Sequence, residues 1–126
     1  RLRAAKVARV AKSYPPSVIH GESKGDLLVL GWGGTHGAIT SAVNTLQAEG
    51  FSVSSLHLRY LFPLPLDLEG TFKNFKKILI PELNFTGHLR TLLRAEYMID
   101  TIGFDKVQGQ PFTVAEIREK VLEILR

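Results

Sequence analysis

One short run constrains this chain more than anything else in it. Leu27-Leu28-Val29-Leu30 is continuously apolar, so a strand built from it must be buried on both faces. Gly31-Trp32-Gly33-Gly34 then turns the chain. Ala38, Ile39, Ala42, Val43 and Leu46 follow at helical spacing, with Thr35 as the expected N-cap and Gly50 as the closing glycine. A doubly buried strand feeding a helix is half of a βαβ unit, and the pattern recurs. Val53–Tyr60 reads as a second strand, stopped by Pro63 and Pro65. Leu66–Phe75 predicts a helix, and Ile78-Leu79-Ile80 within Lys77–Pro81 a third strand. After a turn over Glu82–Gly87, the next helix carries Leu89, Leu92, Leu93 and Met98 on one side. Phe104–Val107 predicts a last strand. Thr113 opens the final helix with Glu116 as its capping-box partner, and Val114, Ile117, Val121, Ile124 and Leu125 form its buried stripe.

Strands alternating with helices imply a mostly parallel sheet covered on both sides, a three-layer α/β/α sandwich. Val18–His20 reads as a short edge strand. Before it, Arg1–Ser13 reads as a helix with a thin apolar stripe, ended by Tyr14-Pro15-Pro16. This divides the chain into a connecting helix and proline linker over 1–17 and a folded domain over 18–126. At 126 residues and 44% hydrophobic, the chain has material for one core. Its first residue is Arg rather than Met, which predicts a fragment or a processed chain.

The formal charge of +4 invites a nucleic-acid reading. Its distribution argues against one. Arg1, Arg3, Lys6, Arg9 and Lys12 carry the whole excess, and the rest of the chain holds slightly more acids than bases. The expected partners therefore include no nucleic acid. No apolar run approaches the roughly 20 residues that span a bilayer, so no membrane partner is expected. There is no cysteine, which fits a reducing cytoplasm and leaves no thiolate for zinc or an iron–sulfur cluster.

A search for chemistry yields little. Gly31, Gly33 and Gly37 mimic a dinucleotide fingerprint, but His36 stands where its third glycine belongs. The next strand ends in Leu58, Arg59 and Tyr60, with no acid for a ribose. Gly33 and Gly34 read instead as a tight turn with close helix–strand packing. No phosphate-binding Gly-Lys-Ser/Thr, nucleophile elbow or metal-spaced histidine pair exists. His57 lies within a strand and is expected to be packed and hydrogen-bonded. Trp32 and His36, Arg59, and Glu82 with Asn84 sit on loops leaving the carboxyl ends of three strands, where open α/β sheets place their sites. Trp32 suits an interface anchor or a lid on the core. Arg59 suits a pairing with Glu82 or with an anion. Glu82 and Asn84 suit either a ligand or the turn's own amides. These five are the candidate ligand or subunit contacts.

The same turns carry a resemblance. LLVLGWGGTHG (27–37), SLHLRYLFPLP (55–65) and IPELNFTGHLR (80–90) together resemble the C-terminal part of the alpha subunit of 2-oxoacid:ferredoxin oxidoreductases, most of all the 2-oxoglutarate type. The family's wording is close to GWGSTYGAI, HLRYLxPLP and PELNxGQL. Gly34 stands here for a common Ser, His36 for a Tyr and His88 for a Gln. The resemblance implies a transketolase C-terminal-like domain, a five-stranded mostly parallel sheet with one antiparallel edge strand. It implies a full complex that decarboxylates a 2-oxoacid to an acyl-CoA and reduces ferredoxin, using thiamine diphosphate, Mg2+ and iron–sulfur clusters. The implied partners are the preceding domain, the beta subunit and, in the full complex, ferredoxin and CoA. No cofactor motif of the family falls in this chain, so no catalytic, cofactor or metal residue is assigned. The expectation is a cytoplasmic, non-catalytic assembly domain, inactive alone. The alternative is an anion- or CoA-binding domain using the strand-end loops.

Overall fold

The computed structural model describes residues 14–59, 65, 67–82, 88–97, 100–105 and 111–126, without the side chains of 88, 96, 97 and 105. The expected 1–13 helix, Pro63, Asn84 and Met98 lie outside them.

The strands are β1 (Ile19–His20), β2 (Gly25–Trp32), β3 (Val53–Leu58), β4 (Phe75–Glu82) and β5 (Ile102–Asp105). The helices are α1 (His36–Ala48), α2 (Leu68–Phe72), α3 (His88–Tyr97) and α4 (Val114–Leu125). One five-stranded sheet runs β1-β3-β2-β4-β5, with β1 antiparallel to β3 and the other pairs parallel. This is the expected mixed sheet with one antiparallel edge.

The apolar run occupies the middle of the central strand, and all four of its residues are fully buried. Strand alternation sends them to opposite faces. Leu28 and Leu30 join Leu56, Leu58, Ile78 and Ile80 beneath α2 and α3, through Leu68, Phe72, Leu89 and Leu93. Leu27 and Val29 join Leu79 and Val53 beneath α1 and α4, through Ile39, Val43, Leu46, Ile117 and Val121. Each such side chain contributes about 1.5–3 kcal/mol when removed from water, so β2 ties both layers into one structure.

Several boundaries differ from the sequence reading, each for a tertiary reason. β2 extends to Gly25 and Trp32 because neighbours pair with it at both ends, Gly25 opposite Phe75 and Trp32 opposite Leu58. The helix expected over 66–75 is shorter, because Phe75 is needed as the first residue of β4. β5 begins at Ile102 rather than Phe104. The Arg90 guanidinium fills the space where a side chain on Gly103 would stand. Thr35 holds the N-cap position of α1 but its side chain caps no amide: it is buried, closes a 3-10 turn over Gly33–Thr35, and its hydroxyl donates to the Trp32 carbonyl at 3.1 Å. Val114 is exposed, because α4 turns Ile117 and Val121 inward instead. Gly50 (φ +91°) and the Thr113–Glu116 capping box stand as expected.

Candidate functional site at the carboxyl edge of the sheet

Because β2, β3 and β4 run parallel, their ends deliver Trp32, Arg59 and Glu82 to one edge of the sheet. The hub of that edge is Glu82. Its carboxylate is 1% exposed. Oε1 accepts from Trp32 Nε1 at 3.1 Å and from the Leu89 backbone amide at 2.8 Å. Burying a carboxylate costs several kcal/mol unless donors replace water, and here an indole N–H and a first-turn amide of α3 do so. The positive end of the α3 dipole adds to the attraction. Oε2 finds no hydrogen-bond partner among the described residues. Glu82 thus ties the tip of β2 to the start of α3.

Trp32 follows from this arrangement. It is half-buried and packs against the α2–α3 side of the core, with its N–H on Glu82. Of its two readings, the lid describes its packing. The glycines around it divide their work differently from the expectation. Gly33 makes the turn with φ +68°, a conformation only glycine adopts freely. The close packing belongs to Gly31, where a Cβ would stand 2.5 Å from Ile39 Cδ1 and 2.9 Å from Thr35 Oγ1. Gly34 meets no such constraint.

On the α1 side, the same edge opens into a cavity of about 680 Å3. Its walls are the first turn of α1, the outer part of β3 and the 15–18 segment. His36 and His57 meet there edge-on, ring centroids 4.7 Å apart, with Arg59 beside them. His57 is half-buried, and its Nδ1 has no hydrogen-bond partner among the described residues. Burial lowers the His57 pKa, and repulsion from His36 and then Arg59 lowers it further. The expectation that His57 is packed holds, but the expected hydrogen bond on Nδ1 is not among the described contacts. The Arg59–Glu82 pairing is likewise not among them. Arg59 faces the histidines, and Glu82 is engaged by Trp32 and Leu89. The sequence reading passed over His57 as a member of this group. Its signal was the strand alternation that places it on the α1 face with Val53 and Ser55.

With this geometry in view, the relatives are informative. The 2-oxoglutarate oxidoreductase subunit KorA of Mycobacterium tuberculosis is 36% identical over 119 residues, which are 93% of this chain and 18% of that protein. The 2-oxoglutarate:ferredoxin oxidoreductase from Magnetococcus marinus, solved with 2-oxoglutarate, coenzyme A and succinyl-CoA bound, superposes with a TM-score of 0.91. That match has 32% identity and covers 98% of this chain and 22% of that one. By sequence and by fold, the chain corresponds to a segment of the alpha subunit of 2-oxoacid:ferredoxin oxidoreductases. It spans about a fifth of the length of these two proteins. A split-gene transketolase, an inactive beta4 tetramer, shares the fold at a TM-score of 0.67 and 18% identity, covering 87% of this chain and 41% of that one. The transketolase-like fold expected from the three turns is therefore observed. No family model matches the chain.

The described residues of this chain offer no metal site. No cluster of three His, Cys, Asp or Glu could hold an ion there, so no step is derived through thiamine diphosphate, Mg2+ or a cluster. No helix among the described residues is long and apolar enough to cross a membrane.

Proposed function

We propose that this chain is the structural and assembly domain of the alpha subunit of a thiamine-diphosphate-dependent 2-oxoacid:ferredoxin oxidoreductase, 2-oxoglutarate being the favoured substrate of the whole enzyme. The observation that carries the reading is the superposition of 98% of this chain on a part of the Magnetococcus marinus protein. The inward use of Glu82 supports it. A carboxylate that holds a tryptophan and a helix start in place shapes a surface rather than moving protons. In this reading 18–126 is the domain and 1–17 its connector. The preceding domain and the beta subunit are its partners, and ferredoxin and CoA act on the complex. The location is the cytoplasm, and the complex, not this chain, carries the clusters and the thiamine cofactor.

The test is direct. The purified 126-residue chain is expected to fold and to show no heat of binding with thiamine diphosphate and Mg2+. Mixed with the beta subunit, it should co-elute with it. Decarboxylation of 2-oxoglutarate by this chain alone would refute the reading.

A further inference from the structure

The cavity beside β3 is built unlike the rest of the edge. β1 covers only Leu56 and Ser55 of β3, and the chain before it leaves the sheet edge. The Ser17 amide and hydroxyl both donate to Asp67, at 2.9 and 2.7 Å, which draws the 15–18 segment away toward α2. The gap so formed is lined by His36, His57 and Arg59, with Ser55 and Thr40 between them. No carboxylate is among its described lining residues. His20 also borders it, but its Nε2 is bonded to Asn44 Oδ1, which removes that nitrogen from the donor set. Asp67 belongs to Ser17 and does not line the cavity.

We propose that this cavity is a binding site for the oxyanion head, phosphoryl or carboxylate, of a small organic anion, held by His36, His57 and Arg59. Three side chains whose charged forms are all cations share a concave wall, with His57 half-buried and no acid among the described lining residues. In such a place an anion gains more than it would on an open surface. The first turn of α1 adds to the attraction. It contains no acid and no side-chain cap, and His36, Ile39 and Thr40 turn its one face into the cavity. Pro15, Val18, Leu58 and Pro65 supply apolar wall for the rest of the ligand. A metal ion is the wrong occupant, since no three ligating side chains converge among the described residues. The site is independent of the assembly role.

The site should also take up a proton. Without a ligand, burial, His36 on α1 and Arg59 just past the end of β3 push the His57 pKa below its ordinary value. An anion in the cavity reverses that balance and favours imidazolium. Binding must therefore tighten as pH falls.

Sulfate and acetate separate the two sources of the head group, and neither titrates between pH 6 and pH 8. The histidine ring protons of the 126-residue chain are followed by NMR against chloride at matched ionic strength. Sulfate or acetate should move the His36 and His57 signals, with affinity falling about tenfold from pH 6 to pH 8. Arg59→Gln, at an exposed position, should weaken binding about tenfold while leaving the fold intact. His57→Gln should flatten the pH dependence. Sulfate binding alone assigns a phosphoryl-type ligand, and acetate binding alone a carboxylate. The proposal is overturned if neither anion moves these signals beyond chloride, or if Arg59→Gln leaves the response unchanged.

Discussion

At the scale of single residues, the molecule spends its least replaceable side chains on its carboxyl edge. Glu82 accepts two hydrogen bonds through one oxygen. Glu82→Ala leaves the Trp32 N–H and the Leu89 amide without an acceptor and should cost roughly 2–4 kcal/mol. Glu82→Gln keeps the accepting oxygen and should cost less. Urea unfolding measures both, and the emission of the single tryptophan should shift to the red in the alanine variant. A second such position is Gly31. Gly31→Ala would press a methyl onto Ile39 and Thr35 and should lose about 1–3 kcal/mol. His57 sets a pH response. Its folded pKa lies below the ordinary value of 6.5, so the unfolded chain binds more protons in that window. Its contribution is complete above about pH 6.5 and is lost as pH falls toward the folded value. The urea midpoint should therefore drop between pH 7.5 and pH 5.5. The drop should shrink in His57→Gln, and an equal drop in both proteins would contradict it.

At the scale of elements, legibility tracked how local the forces are. The capping box of α4 is written in four residues: Thr113 Oγ1 accepts from the Glu116 amide at 3.1 Å, and Glu116 Oε1 accepts from the Thr113 amide at 2.8 Å. It could be read directly, and Thr113→Ala should cost about 1 kcal/mol by thermal unfolding. The two N-caps differ for a physical reason. Thr113 has extended backbone (φ −90°, ψ 159°), which brings its hydroxyl to the helix amides. Thr35 already sits in a 3-10 turn (φ −86°, ψ −5°), so its hydroxyl meets a carbonyl instead. Strand ends differ from the sequence reading wherever pairing with a distant segment sets them, as at Gly25, Ile102 and Phe75. The Arg118 fork on Glu49 is another such link. It joins α4 to the end of α1 across 69 positions and holds the Glu49 carboxyl below its usual range. No local pattern announces it.

At the scale of the whole molecule, β2 and β4 each serve two cores. Leu79 faces α1 and α4, while its neighbour Ile80 faces α2 and α3. Each substitution to Ala should cost about 2–5 kcal/mol. Because β2 and β4 feed both layers, both variants should still unfold in one transition. Circular dichroism and Trp32 fluorescence should give the same midpoint in each, and two separate transitions would show that the layers are independent.

The sequence by itself determined that a doubly buried apolar strand lies at the centre, that helices alternate with strands, and that three turns carry an oxidoreductase alpha-subunit pattern. Those features are local or periodic, so they survive being read one residue after another. Only the tertiary structure decided what the turns do. It gave Glu82 to Trp32 and α3 rather than to Arg59, and Gly31 rather than Gly34 to the close packing. It also set His36, His57 and Arg59 around one cavity. Each of those outcomes depends on side chains brought together by parallel pairing and helix packing, and the direction each side chain takes is fixed only when its neighbours arrive.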